Sequence, residues 1–104
     1  MLHELRIYEL RVDGVAPYLK LFETVGLPIV QRYMKLVGYW RNVSGNPNGV
    51  THLWAHESFA TRQAAREGLA NDAEWRDRYL PRALPLIERQ HVTLLQAMDF
   101  SPIR

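Results

Sequence analysis

The sequence predicts a single α+β domain whose elements follow the order β-α-β-β-α-β. Three observations support that prediction: an alternating segment near the N-terminus, two regions with helical spacing of apolar residues, and a turn-rich cluster between two aromatic and β-branched segments. The length of 104 residues is that of one domain. Hydrophobic residues make up 47% of the chain, which is enough for a core and argues against a disordered protein.

The first strand is predicted from the alternation of side chains between Leu2 and Val12. Leu5 and Ile7 lie on one face of such a strand, whereas Arg6, Tyr8 and Leu10 lie on the other. Both faces carry apolar groups, so we expect both to be covered.

A helix is predicted next, because apolar residues recur at the spacing of one helix face. Asp13-Gly14 ends the strand and can cap the helix, and Pro17 is tolerated in its first turn. The apolar positions i, i+3, i+4 and i+7 hold Val15, Tyr18, Leu19 and Phe22. We expect the helix to stop at Gly26, before Pro28, and a short helical or irregular piece to follow over 29–34.

A β-hairpin is predicted in the middle of the chain. Residues 36–43 and 50–57 are both rich in aromatic and β-branched residues, which favour strands. Between them lies the densest cluster of turn-forming residues, Gly45-Asn46-Pro47-Asn48-Gly49. The two segments are therefore predicted as the second and third strands of an antiparallel sheet.

The second half of the chain predicts further helix and a last strand. Ser58 can cap a helix that runs through Ala70, and Asn71 with Glu74 resembles a capping box for another helix. Pro81 and Pro85 are expected to interrupt that second helix. Residues 87–98 are predicted as the last strand, followed by a short extended tail.

This order of elements is that of the ferredoxin-like βαββαβ arrangement, in which two helices cover one face of a four-stranded antiparallel sheet. The other face would be apolar and open, and the sequence contains no repeat or linker that could cover it. We therefore expect a homodimer, in which two copies close a dimeric α+β barrel.

Composition excludes several classes of protein. The net charge of +2 and the mixing of arginines with acidic residues argue against a nucleic-acid surface. The absence of cysteine excludes disulfides and thiolate metal sites. The N-terminus lacks the apolar core of a signal peptide, and no segment approaches the roughly 18 apolar residues of a membrane span. We expect a cytoplasmic protein without a membrane partner.

One strand face carries a candidate ligand site. Arg6 and Tyr8 on the first strand share a face with His52, Trp54 and His56 on the third, if the two strands are neighbours. A histidine can move protons near neutral pH and an arginine can hold a carboxylate. The alternative interpretation is structural: Tyr8 and Trp54 fill the dimer core, while Arg6 and the histidines pair with Glu4 and backbone groups.

Other aromatic residues are weaker candidates. Tyr39 and Trp40 point to opposite faces, so only one of them can share a given pocket, and Tyr39 is kept as a candidate. Gly38 beside them is typical of a bulge or of a close approach by another group. Trp75 and Tyr79, at i and i+4 on a helix, are interpreted as core residues, with a ligand cavity as the alternative.

The known cofactor and nucleophile motifs are absent from the sequence. His52 and His56 lie roughly 13 Å apart on a strand, at about 3.3 Å per residue, too far to chelate one metal ion. Gly45 and Gly49 lack the Lys-Ser/Thr of a phosphate-binding loop. No serine lies in a nucleophile elbow. The sequence therefore predicts neither a metal nor a nucleotide cofactor.

With the elements in place, the sequence resembles the NIPSNAP family nearly end to end. The resemblance depends on five segments: 8–11, 22–28, 36–40, 52–58 and 100–102, and on the helix start Asp72-Ala73-Glu74-Trp75. Position 56 is His, where the resemblance would place an aromatic such as Tyr. The resemblance implies a dimeric α+β barrel and no settled biochemical activity.

Two functions follow as hypotheses, and a third is weaker. The first is a small-molecule pocket protein, such as a cofactor-free monooxygenase or isomerase, by analogy with other dimeric α+β barrels. The second is a non-catalytic binding or scaffold homodimer, which predicts no cavity of ligand size. The third is haem binding, with His91 on the last strand as axial ligand.

Overall fold

The computed structural model describes residues 1–104, and in it four strands form one antiparallel sheet in the order β2-β3-β1-β4. Strand β1 is Leu2–Leu10, β2 is Lys35–Arg41, β3 is Gly49–His56 and β4 is Ile87–Gln96. The predicted order β-α-β-β-α-β and the antiparallel α+β fold are confirmed. Strands β2 and β4 end two residues earlier than predicted, at Arg41 and Gln96.

The helices occupy the two crossover connections. The first crossover contains α1 (Val15–Leu21), a π-helical segment (Phe22–Gly26) and α2 (Leu27–Val30). The second contains α3 (Phe59–Ala70), a π-helical segment (Trp75–Tyr79), α4 (Leu80–Ala83) and the 3-10 turn Leu84–Leu86. No helix combines the length and hydropathy that crossing a membrane requires.

The prediction that the first helix ends at Gly26 is wrong, and so is the prediction that Pro81 interrupts the second. At both places a π turn intervenes, in which the N–H of Leu27 donates to the carbonyl of Phe22, and the N–H of Leu80 to that of Trp75. Each proline then lies in the first turn of a new α-helical segment, where no N–H donor is needed. The helix continues past both prolines.

The cap of the second π-containing helix also differs from the prediction. Asp72, not Asn71, accepts the first free N–H groups, from Glu74 at 2.9 Å and Trp75 at 3.2 Å. Asn71 instead follows the last residue of α3. The predicted cap of α3 is confirmed, since the Ser58 hydroxyl accepts from the N–H of Thr61 at 3.1 Å. Asn and Asp are both preferred N-cap residues. Because Asn71 and Asp72 are adjacent, the sequence alone does not show which of them caps the helix.

Strand register decides which side chains face the helices. Strand β1 lies between β3 and β4, with Arg6 opposite His52 on one side and Val92 on the other. Glu4 is opposite Trp54 in the same way. Directly paired residues share a face, so Glu4, Arg6 and Tyr8 of β1 lie with His52, Trp54 and His56 of β3 beneath the helices.

A bulge in β2 resolves the choice between Tyr39 and Trp40. The register with β3 shifts between Leu36 and Gly38, which brings Tyr39 opposite His52 on the helix-covered face. Trp40 lies on the open face and is 54% exposed. Its indole covers Gly38 so closely that an added Cβ would lie 2.4 Å from Cη2 of the ring. Both predicted roles of Gly38, the bulge and the close approach, are confirmed.

Candidate functional site

A cavity of about 340 Å³ lies between the sheet and the helices. Its wall is mostly apolar and aromatic, with Trp54 from the sheet and Phe22, Leu69, Trp75 and Tyr79 from the helices. The polar or charged lining residues, apart from tyrosines, are Glu4, Arg6, His52, Arg66 and Gln90. A large apolar wall with a few grouped polar side chains is typical of a small-molecule site.

The two π-helical segments bring the aromatic wall together. Gly26 of the first segment lies so close to Tyr79 of the second that an added Cβ would be 2.5 Å from Cε1 of the tyrosine ring. Trp75 stacks on Tyr79, with ring centroids 4.4 Å apart. Because π turns redirect the side chains that follow them, they are frequent at functional sites. The interpretation of Trp75 and Tyr79 as core residues and their alternative role as cavity lining are both correct.

Glu4 is the centre of the polar group at the cavity. It is 1% exposed, and its Oε1 accepts from Nε of Arg62 at 2.8 Å and from Nε2 of His56 at 3.1 Å. Its Oε2 accepts from Arg6. Burial alone would raise the pKa of Glu4, but the hydrogen bonds and charges of Arg62 and Arg6 outweigh burial and lower this pKa to about 2. Glu4 is a buried carboxylate whose two oxygens are both occupied.

All three nitrogens of the Arg6 guanidinium donate to side chains. Besides its bond to Glu4, its Nε donates to the Tyr8 hydroxyl at 2.9 Å and its Nη2 donates to Oε1 of Gln90 at 3.1 Å. Arg6 therefore fixes the positions of three neighbouring side chains. The Tyr8 hydroxyl accepts from Arg6, and its own hydrogen has no acceptor on the protein.

His52 is held in one tautomer by Trp54. The indole N–H of Trp54 can only donate, and it lies 2.7 Å from Nδ1 of His52, so Nδ1 accepts and the ring hydrogen is on Nε2. That Nε2 is buried without any hydrogen-bond partner. Burial, and then the charge of Arg6, lower the pKa of His52 to about 3, so the ring is neutral at pH 7. A buried donor without a partner costs about 1–3 kcal/mol of stability.

The rings around His52 fix its plane. Tyr39 stacks on it in parallel, with centroids 4.5 Å apart and an interplanar angle of 5°. Tyr8 meets it edge-to-face at 4.7 Å. Behind them, the Tyr18 hydroxyl lies 3.3 Å from that of Tyr39 and 3.5 Å from that of Tyr79. Burial raises the pKa of all three of these tyrosines, that of Tyr18 to about 12, so the hydroxyls are neutral.

Arg66 gives the cavity its excess of positive charge. It extends from α3 into the lining, is partly buried, and has neither an ion pair nor a hydrogen bond to another side chain. Burial, and then the nearby charge of Arg6, lower the pKa of Arg66. Three guanidinium groups, those of Arg6, Arg62 and Arg66, thus surround the single carboxylate of Glu4. The charged side chains at the cavity therefore carry a net positive charge.

The predicted candidate residues fall into two groups. Arg6, Tyr8, His52 and Trp54 line the cavity together. His56 lies behind Glu4 and Tyr39 lies behind His52, so both support the site without lining it.

The alternative structural interpretation of this face is wrong in two respects. Tyr8 and Trp54 cannot fill a dimer core on the open face, because they lie under the helices. His52 does not pair with Glu4, since its Nδ1 binds Trp54 instead. The same interpretation is correct for Arg6 and His56, which do pair with Glu4.

The proposed axial histidine for haem lies elsewhere. His91 is opposite Ile7 on the open face, and its Nε2 lies 2.8 Å from Oε2 of Glu9. It does not line the cavity. No group of three His, Asp or Glu side chains is arranged as metal ligands would be.

Sequence reasoning missed Arg66 and Gln90. Arg66 follows Arg62 by one helical turn, near the buried residues Ala65 and Leu69 of the same helix. This spacing is the one signal in the sequence that places the two arginines toward the sheet. Gln90 is paired with Tyr8 and shares its face of the sheet, but the register of β4 on β1 cannot be read from the sequence.

Comparison with known proteins identifies relatives along the whole chain. The NIPSNAP family model matches residues 3–102. Protein NipSnap homolog 3B of Mus musculus is 32% identical over 102 residues, which are 97% of this chain and 41% of that protein. The chain thus spans about two fifths of the length of this curated relative. A solved NIPSNAP domain protein from Burkholderia xenovorans, described as uncharacterized, has a TM-score of 0.93 and 36% identity, covering 98% of this chain and 99% of that one.

A more distant neighbour shares the fold. A putative antibiotic biosynthesis monooxygenase from Nitrosomonas europaea superposes with a TM-score of 0.70 over 94% of this chain and 99% of that one, at 9% identity. The superposition supports a common ferredoxin-like architecture and, at this low identity, nothing about activity. The match of the family model to residues 3–102 is the decisive observation, and the chain belongs to the NIPSNAP family.

Proposed function

We propose that this protein binds a small organic anion with a flat, apolar body in the cavity between its sheet and helices. The single observation that carries the proposal is Arg66, a partly buried guanidinium in an apolar cavity with no anionic partner on the protein. A cation in that position is costly unless an anion joins it. A carboxylate or an enolate oxygen of a ligand would supply that partner.

The size and lining of the cavity support the same proposal. A volume of about 340 Å³ is within the range of ligand sites, and the stacked pair Trp75 and Tyr79 offers a flat surface for a ring. A purely structural scaffold predicts no cavity of ligand size, so the cavity favours binding over that alternative.

The catalytic form of the proposal is a cofactor-free monooxygenase or isomerase. Both reaction classes pass through an enolate or carbanion, whose negative charge Arg66 and Arg6 would stabilise. His52 would not act as the general base at neutral pH, since its pKa is about 3 and its Nδ1 accepts from Trp54. Its part would be to donate a hydrogen bond.

Arg66→Ala is expected to weaken binding of 2-naphthoate at least tenfold, as measured by isothermal titration calorimetry. A hydrogen bond to a charged group contributes about 1.5–3 kcal/mol, and 1.4 kcal/mol is about tenfold in Kd. The neutral analogue 2-naphthamide should bind the wild-type protein more weakly than the acid does. The matched control is Arg82→Ala, which removes an exposed arginine from α4 and should leave the Kd unchanged. Equal binding of the acid and the amide would contradict the proposal.

We also propose that a second copy of the chain covers the open face of the sheet. That face carries exposed apolar side chains from three strands: Ile7 at 38%, Trp40 at 54% and Leu95 at 40%. Exposed apolar side chains on an uncovered sheet face favour a protein partner, and a two-fold pair is the commonest closed solution.

Ile7→Glu is expected to convert a dimer into a monomer in native mass spectrometry. Ile7 lies on β1 in the interior of the sheet, so a carboxylate there would lose its hydration in the pair, and the histidine opposite it, His91, already binds Glu9. Val12→Glu is the matched control, because Val12 is 76% exposed and lies beyond the end of β1. A wild-type protein that is monomeric at micromolar concentration would refute the dimer.

A further inference from the structure

All of the unmatched polar groups at the cavity are hydrogen-bond donors. The Nε2–H of His52, the hydroxyl hydrogens of Tyr8 and Tyr18 and the guanidinium of Arg66 have no acceptor on the protein. Both oxygens of Glu4 are occupied by Arg6, Arg62 and His56. A ligand that satisfied these groups would have to supply acceptors and no donors.

The donors are divided between two places. Arg66 reaches the cavity from α3, whereas His52 and Tyr8 lie on the neighbouring strands β3 and β1 and their rings are in contact. An anionic group bound at Arg66 and a second acceptor oxygen on the same ligand would together serve the donors from both elements.

His52 is the better defined of the two sheet donors. Trp54 fixes its tautomer, Tyr39 fixes its plane, and only 3% of the residue is exposed. His52 lines the cavity, and an acceptor oxygen on a ligand there would satisfy this buried donor.

We propose that the Nε2–H of His52 binds a carbonyl or enolate oxygen of the ligand, so that the natural ligand is a keto acid or a related compound with an anionic group and a separate acceptor oxygen. The inference deepens the proposed function and rests on it. His52 is then a ligand-binding residue that sets the specificity of the site. A ligand with only a carboxylate would leave the buried N–H of His52 unsatisfied and would bind more weakly.

The test uses three pairs of phenyl-substituted acids that differ only by a carbonyl in place of a methylene. The pairs are phenylpyruvate with 3-phenylpropanoate, 3-benzoylpropanoate with 4-phenylbutanoate, and 4-benzoylbutanoate with 5-phenylpentanoate. The three chain lengths allow for the separation of Arg66 and His52. Calorimetry gives each Kd for the wild-type protein, for His52→Phe and for Arg66→Ala.

In at least one pair the keto acid is expected to bind the wild-type protein about tenfold more tightly than its partner. In His52→Phe that advantage should disappear, while Arg66→Ala should weaken both members of the pair. If both members bind equally and both depend on Arg66, the role of His52 is refuted and the anion site stands. If no acid of any pair binds the wild-type protein, the proposed function is refuted as well.

A spectroscopic measurement tests the same inference without a variant. In protein labelled with ¹⁵N-histidine, the free state should show a hydrogen bonded directly to Nε2 of His52. On addition of the preferred keto acid that hydrogen should move downfield, and the matched acid without the carbonyl should not move it. A hydrogen found on Nδ1, or the same shift with both acids, would overturn the inference.

Discussion

Glu4→Gln should destabilise the protein more than any other single substitution that preserves side-chain size, by about 3–5 kcal/mol. The substitution removes the one negative charge from a buried group in which Arg6 and Arg62 both donate to the carboxylate. Two guanidinium groups would then face each other beneath the helices without compensation. For a domain of this length the expected fall in Tm is more than about 10 °C.

Glu74→Gln is the matched control for that substitution. Glu74 also pairs with an arginine, since its Oε1 lies 2.7 Å from Nη2 of Arg32, but its side chain is 46% exposed. An exposed pair of this kind contributes less than about 1 kcal/mol. Urea denaturation of both variants at one protein concentration separates the two cases. A Glu4→Gln variant no less stable than Glu74→Gln would show that the buried charges relax without cost.

The face of the candidate site could be predicted from the sequence because strands have a period of two. Arg6 and Tyr8 on one strand, and His52 and Trp54 on the next but one in the chain, fall on one face whenever β1 and β3 are neighbours. In the ferredoxin-like β-α-β-β-α-β arrangement β1 and β3 are adjacent, so this face could be predicted without knowledge of side-chain packing. Local alternation and topology together were sufficient for this part of the site.

The remaining part of the site depends on packing between helices and sheet, which no local pattern encodes. The π turns at Phe22–Gly26 and Trp75–Tyr79 carry the helices past Pro28 and Pro81, whereas a sequence rule ends a helix before a proline. The contact of Gly26 with Tyr79 joins residues 53 positions apart in the chain. Propensity rules use only residues that are close in the sequence. They can place these side chains on helices, but they cannot show that the helices meet to form a cavity.

The polar group also explains why His52 can be kept neutral beside a carboxylate. The negative charge of Glu4 raises the pKa of His52, but the positive charge of Arg6, which pairs with Glu4, lowers it by more. Burial adds to the effect of Arg6. The site therefore holds a neutral donor on His52 next to a surplus of arginine charge.

Acidification from pH 7.5 to pH 4.5 is expected to lower the free energy of unfolding by about 2–3 kcal/mol, chiefly through His52. The pKa of His52 falls from its ordinary value of 6.5 to about 3 in the folded protein. Below pH 6.5 the unfolded chain takes up a proton that the folded chain refuses, so stability falls as the pH falls. The pKa of His56 is also lowered, by burial first, and adds a loss in the same direction.

Glu4 adds a second phase at lower pH. Its pKa is about 2 in the folded protein and near 4.5 when unfolded, so its contribution is complete above pH 4.5 and is lost between pH 4.5 and pH 2. The two groups therefore act in separate windows. Measurements between pH 7.5 and pH 4.5 report on the histidines almost alone.

Urea denaturation of the wild-type protein, His52→Phe and Val50→Ala at four pH values in that window is the decisive comparison. Removal of His52 should reduce the slope by about 1.4 kcal/mol per pH unit between pH 6 and pH 4.5, whatever its effect on stability at pH 7.5. Val50 is buried on β3 and carries no titratable group, so its replacement should lower stability and leave the slope as in the wild-type protein. An unchanged slope in His52→Phe would mean that His52 is protonated as readily in the folded state as in the unfolded state. The pKa of His52 would then keep its ordinary value, and the claim that burial and Arg6 hold this histidine neutral below pH 6.5 would be refuted.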